Sequence, residues 1–346
     1  MERLSPLFKL IHDYLLISLP KEQKCSPHTC RSYRKALVLF FDFVKEKENV
    51  PLRKVTFDMI NRNMLSEFLI YLEEDRGCSA ATRNQRLHAI RAFYRYAAEE
   101  DITAVTHFDE IKKVRKARVP EKLVEHMNAE AVRTVLEQPN TMTDKGRRDA
   151  FMLLFLYKTG ARVQELLNVK LNDIQLGETP RVLLHGKGDK IRAVPLREDV
   201  VLHLKPYLAL FHPEETLFSE QHLFYTVRSY AKKRMTESNV RNLVSNYGKQ
   251  ARKICPEVPE FVHPHLFRHS WAMTLYQNGV DLTLVSQWLG HAQLETTLIY
   301  AHADTELKRR AMEKAVPEDS PLKGLLNAER YKISDDDLLK QLCGLK

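Results

Sequence analysis

RVLLHGKGDKIRAVPL, residues 181–196, is the one stretch of this chain that reads as sheet, and its setting decides the fold. Val182, Leu183 and Leu184 form a short apolar run, Gly186-Lys187-Gly188-Asp189 supplies a turn, and Ile191, Ala193 and Pro195 lead away. Two short strands around a glycine turn make a β-hairpin. On either side the apolar spacing is helical. Helices are expected over Asn128 to Leu136 and Arg148 to Lys158, with a break at Thr159-Gly160 and another helix through Leu167. Everything after Gln221 reads as helix, including a long apolar pattern through Trp271, Met273 and Leu275. The fold class expected is mainly α, with one small antiparallel β-sheet.

Toward the N-terminus the chain is helical as well. Ser26-Pro27 is a cap followed by a first-turn proline, and Tyr33, Leu37, Phe40, Phe41 and Val44 recur at helical spacing behind it. A second helix opens near Ser79 and runs to Glu100, with Leu87, Ile90, Tyr94 and Ala97 as its apolar stripe. Arg83, Arg86, Arg91 and Arg95 lie on that helix at angles that overlap the stripe, so they read either as DNA contacts or as solvated edges. IKKVRKAR, residues 111–118, then carries Lys112, Lys113, Arg115, Lys116 and Arg118 without one acid, and Val119-Pro120 disfavours a continuing helix. This run is taken as the domain boundary and as a candidate phosphate-neutralising segment.

The chain has 346 residues, enough for two domains. Hydrophobic residues at 44% and charged residues at 29% exclude a disordered or collagen-like chain. The net charge of +9 favours a polyanionic partner, nucleic acid or an anionic membrane surface. No apolar run approaches the roughly 20 residues a membrane helix needs, and no signal-peptide pattern opens the chain. Five scattered cysteines fit a reducing compartment, so a soluble cytoplasmic protein is expected. Cys25 and Cys30 flank His28, but no second Cys/His pair follows, and no metal site is assigned there.

Four clusters carry chemistry. Arg162 follows the Thr159-Gly160 break, with Glu165 three residues on, where an i,i+3 pair shares a helix face. Lys187 sits in the hairpin turn between glycines that let a ligand approach the backbone. His263-Pro264-His265-Leu266-Phe267-Arg268-His269-Ser270 places His265 and Arg268 three apart. Leu289-Gly290-His291 leads to Tyr300 nine residues later. Each cluster alone has an ordinary explanation in a turn, a core or an ion pair.

In this order and spacing the four clusters resemble the tyrosine recombinases, the site-specific integrase family that includes the Xer proteins and phage integrases. The family pattern of Arg, Lys, His-x-x-Arg, His and Tyr falls on Arg162, Lys187, His265, Arg268, His291 and Tyr300. Phe267 stands where leucine usually precedes the second arginine, and Gln164 where a small polar residue is common. The resemblance spans essentially the whole chain. It implies a helical, SAM-like core-binding domain over residues 1–115, a basic linker over 116–125, a catalytic domain over 126–316 and a tail over 317–346 that docks on a neighbouring protomer.

The same resemblance implies the reaction and its parts. Arg162 and Arg268 would meet the non-bridging oxygens of a phosphodiester, as rigid forked donors do well. Tyr300 would attack in line, with His265 taking its proton, Lys187 protonating the leaving oxygen, His291 adding a hydrogen bond and Glu165 in support. The product would be a 3′-phosphotyrosyl enzyme, formed without ATP or an obligatory metal; no cofactor is expected. Implied partners are double-stranded DNA with specific sites, further copies in a tetramer on two sites, and a second recombinase as an optional companion; no membrane is involved. The biological task reads as integration, excision or transposition of a mobile element, or alternatively Xer-type dimer resolution. Competing readings are a non-cutting DNA-binding protein of the same fold, a type IB topoisomerase, and a zinc site in His263, His265 and His269 that no HExxH glutamate accompanies. In the tail, Ser334-Asp335-Asp336-Asp337 could cap a short helix with Leu338, Leu339, Leu342 and Leu345 on its apolar side.

Overall fold

The computed structural model describes residues 5–120, 124–186, 188, 190–229, 231–291 and 293–303, with the isolated positions 309, 312, 340 and 341. The chain divides into two compact units, residues 1–121 and 122–346. In the first, helices α1 (Pro6–Asp13), α2 (Pro27–Glu48), α3 (Arg62–Glu74), α4 (Ala80–Glu100) and α5 (Val105–Lys112) follow one another. Polar caps start four of them: Ser5, Ser26, Asn61 and Ser79 accept from the backbone N–H of Phe8, Thr29, Met64 and Thr82. Leu87, Ile90, Tyr94 and Ala97 of α4 are all fully buried, packed with Phe40, Phe68 and Phe93. The apolar stripe read from the sequence is the core of this unit.

The basic run is tied down along part of its length. Ile111 and Val114 are buried among the same core, and the Asn84 side chain donates to Ala117 O at 2.8 Å while accepting from Ala117 N at 2.9 Å. Between these anchors Lys112, Lys113, Arg115 and Lys116, with Arg118 beyond them, stay exposed.

In the second unit α6 (Ala129–Leu136), α7 (Asp144–Thr159) and α8 (Val163–Asn168) precede a three-stranded antiparallel sheet, β1 (Ile174–Gln175), β2 (Arg181–His185) and β3 (Ile191–Pro195), in that order. The β2–β3 register pairs Leu184 with Arg192 and His185 with Ile191. Helix α9 (Glu198–Phe211) covers the core with Tyr207 against Phe151, ring centroids 4.6 Å apart. A second hairpin follows, β4 (Tyr225–Arg228) with β5 (Ala231–Arg234), and corrects the expectation of unbroken helix after Gln221. Its turn has no glycine: Ser229 itself adopts φ +50°. Helices α10 (Glu237–Arg252), α11 (Pro264–Gln277), α12 (Leu282–Leu289) and α13 (Glu295–Ala303) complete the unit. The mainly α class with small antiparallel sheets is therefore as expected, with one hairpin more. Lys187 and the tail leucines lie outside the described residues.

Candidate active site

The site grows from the end of α7. Gly160 closes that helix in the left-handed conformation, φ +57°, where a Cβ would also lie 3.1 Å from Leu289. Its carbonyl faces inward and accepts from Arg268 Nη1 at 2.6 Å. Two residues on, Arg162 opens α8, and Glu165 turns back to it: Oε2 accepts the Arg162 main-chain N–H at 2.9 Å and Oε1 its guanidinium at 2.7 Å.

Glu165 has a second cation that the sequence reading missed. Arg192 Nη2, from β3, donates to Glu165 Oε2 at 2.8 Å. Burial alone would raise this carboxyl, but Arg192 and the donors of Arg162 outweigh it and hold Glu165 below the ordinary carboxylate range. The link ties the hairpin to the arginines, since Gly186, next to Lys187, lies so close that a Cβ there would be 3.5 Å from Glu165 Oε1. Arg192 was not legible because an arginine on a short strand ordinarily faces solvent.

Three successive carbonyls at the C-terminal end of α12 each hold one arginine. Trp288 O accepts from Arg192 Nη1, Leu289 O from Arg268 Nη2, and Gly290 O from Arg162 Nη2 at 3.3 Å. Carbonyls at a helix C-terminus are partners for cations on two counts, unsatisfied acceptors and a negative dipole end. Gly290, at φ +65°, lets the chain pass where a Cβ would stand 2.8 Å from Arg192 Cδ. Arg268 is almost wholly buried; burial, then repulsion by Arg162 and Arg192, lowers it to about 9, still a cation at neutral pH.

Tyr300, on α13, is fully buried against Ala272, Met273, Val285 and Leu289. Its hydroxyl is 2.9 Å from His269 Nδ1. Burial raises the phenol to about 12, although Arg268 and Arg162 pull it down. His265, one turn earlier on α11, is exposed, and His263 caps that helix by accepting from Leu266 N. His291 Nδ1 meets Thr297 Oγ1 at 2.8 Å, which ties it to α13. Burial, then neighbouring positive groups, lowers both His269 and His291 to about 4, so both rings are neutral. Arg162, Glu165, Arg268, His291 and Tyr300 are thus gathered around α12 and α13.

The arginines of α4 divide. Arg91 donates to the carbonyls of Ile111, Lys112 and Val114, fastening the end of α5. Arg83 pairs with Glu73 at 3.4 Å and reaches Arg115 O, and Arg86 meets Cys78 Sγ at 2.9 Å. Only Arg95 of the four is exposed. Three of the four positions thus have partners within their own unit.

Comparison with known proteins identifies relatives of both units. A model described as the phage integrase family matches residues 125–306, and one described as the phage integrase SAM-like domain matches residues 7–115. The chain is 30% identical, over the full length of both, to y4rC, a candidate integrase/recombinase of Sinorhizobium fredii (strain NBRC 101917 / NGR234). It is 29% identical to the tyrosine recombinase XerD of Staphylococcus saprophyticus over 89% of this chain and 98% of that one. Two solved structures share the fold. The XerH site-specific recombinase bound to difH substrate matches with TM-score 0.63 and 24% identity, covering 90% of this chain and 89% of that one. The Tn1549 transposon integrase in complex with circular intermediate DNA matches with TM-score 0.64 and 18% identity, covering 90% and 99%. Helical front unit, hairpin and arginine-lined site therefore have one account: the chain belongs to the phage integrase family, the tyrosine recombinases, whose members cut and rejoin DNA.

Proposed function

We propose that this chain breaks and rejoins specific double-stranded DNA sites through a covalent Tyr300 intermediate, in the integration, excision or transposition of a mobile element. The observation that carries this reading is the convergence of two guanidiniums, Arg162 and Arg268, with the Tyr300 hydroxyl in their field. A phosphodiester entering the site would place its non-bridging oxygens against those arginines, which are worth most where charge develops. Tyr300 Oη forms a bond to phosphorus and the bond to the 5′ oxygen breaks. The leaving oxygen takes a proton from Lys187, and the phenol proton goes to a histidine of α11, His265 by the sequence reading. His291 donates to the phosphate, and Glu165 holds Arg162 in place. The free 5′-hydroxyl of a partner strand then reverses the step, so the bond energy is kept and no ATP is consumed.

Specific DNA sites, assembly of four copies on two sites, exchange of the tail between neighbours and action in the cytoplasm belong to this proposal. Similarity to XerD favours a second reading, resolution of chromosome or plasmid dimers. The experiment is mass spectrometry of wild type and Tyr300→Phe after incubation with flanking DNA nicked to trap the cleaved strand. A nucleotide-bearing peptide containing Tyr300, in the wild type alone, is expected. Tight binding with no adduct on any candidate site would leave a non-cutting DNA-binding protein.

A further inference from the structure

The histidine that touches the nucleophile is not the one the sequence pattern assigns. His265 and His269 are one turn apart on α11, so both face the same side of the helix, with Arg268 beside them. His265 is exposed, whereas His269 Nδ1 lies 2.9 Å from Tyr300 Oη and is the hydrogen-bond partner of that hydroxyl among the described residues. The rest of the tyrosine is enclosed by Ala272, Met273, Val285 and Leu289, none of which can accept a proton through its side chain.

We infer that His269, rather than His265, takes the proton of Tyr300 when the tyrosine attacks DNA. The inference rests on the reading of Tyr300 as nucleophile. A neutral imidazole has one nitrogen carrying a proton and one free to accept, and Nδ1 is the nitrogen that faces the hydroxyl. The ring is held neutral by burial, with the Arg268 charge adding to the effect, so the acceptor is available before substrate arrives. A phosphodiester anion between Arg162 and Arg268 offsets that positive field, which makes an imidazolium at His269 easier to form at the moment it is needed. The phenol becomes strongly acidic only as its oxygen bonds to phosphorus, so a base of modest strength in contact with it suffices.

The step balances. Oη gains the bond to phosphorus and gives its proton to Nδ1, the phosphorus–5′-oxygen bond breaks, and the 5′ oxygen takes a proton from the general acid. In rejoining, the 5′-hydroxyl forms its bond to phosphorus and gives its proton to the group that served as general acid, while His269 returns the proton to Tyr300 as the phosphotyrosyl bond breaks.

The test compares His269→Ala and His269→Asn with wild type and Tyr300→Phe on nicked substrate, with site binding measured alongside. Asparagine can keep a hydrogen bond near the Nδ1 position but cannot take a proton. Both His269 variants are expected to bind DNA as wild type does and to cleave about 10²- to 10⁴-fold more slowly. Added imidazole is expected to raise the rate of the alanine variant. The defect should persist on DNA whose 5′ bridging oxygen is sulfur, because sulfur leaves without a proton and only the nucleophile side is then being read. Cleavage by either variant at the wild-type rate overturns the inference, as does failure of imidazole to help or disappearance of the defect on the sulfur substrate. Absence of a Tyr300 adduct in the wild type is a different failure, that of the proposed function itself.

Discussion

One hydroxyl separates Tyr300 from phenylalanine, and Tyr300→Phe should abolish strand cleavage while leaving DNA affinity near wild type, checked by gel shift beside the adduct assay. The arginines act differently. Arg268→Ala removes a cation that donates to Gly160 O and Leu289 O, and cleavage should fall by several orders of magnitude, using about 3–4 kcal/mol for each lost transition-state donor. Acid should weaken the fold through the histidines. His269 and His291 sit at about 4 in the folded chain against 6.5 when unfolded, so the unfolded state binds more protons between those values. Their stabilisation is present above about pH 6.5 and is lost as the pH falls toward 4. Urea denaturation should therefore show a lower midpoint at pH 5 than at pH 7.5, and an unchanged midpoint would mean that the rings titrate as in solution.

Among the elements, the turn after α12 offers the sharpest test. Gly290→Ala puts a Cβ at 2.8 Å from Arg192 Cδ in a backbone conformation of φ +65°, where an L-residue costs about 1–2 kcal/mol before any clash. Both unfolding free energy and cleavage rate should drop, read by urea titration and by the nicked-substrate assay. The β2–β3 hairpin and α4 were legible in the sequence because glycines and an apolar stripe mark them. The β4–β5 hairpin was not: Tyr225-Thr226-Val227 suits a strand, but the turn at Ser229 carries no glycine, proline or asparagine to announce it. Motif spacing located Arg162, Arg268, His291 and Tyr300. It could not supply Arg192 or the contact of His269, since each depends on which helix end meets which strand in space.

At the scale of the whole molecule, the charge of +9 has an address in the exposed Lys112, Lys113, Arg115, Lys116 and Arg118. Replacing the five with alanine should weaken binding to all DNA sequences alike and flatten the salt dependence, by about 0.9 in log–log slope for each phosphate contact removed; an unchanged slope would place the DNA elsewhere. Deleting residues after Lys332 should impair synapsis and recombination more than single-site binding, and intact recombination would mean that the tail packs on its own unit. The three carbonyls of Trp288, Leu289 and Gly290 bear on how such assembly is felt at the site. Because Arg192, Arg268 and Arg162 donate to consecutive carbonyls of one helix end, a shift of α12 is felt by all three at once, while Glu165 and the Gly160 carbonyl hold them from the other side. A neighbouring copy that presses on α12 would reach all three arginines at once, and a two-state shift there would show in a pre-steady-state trace as a burst amplitude that varies with assembly at a fixed burst rate constant.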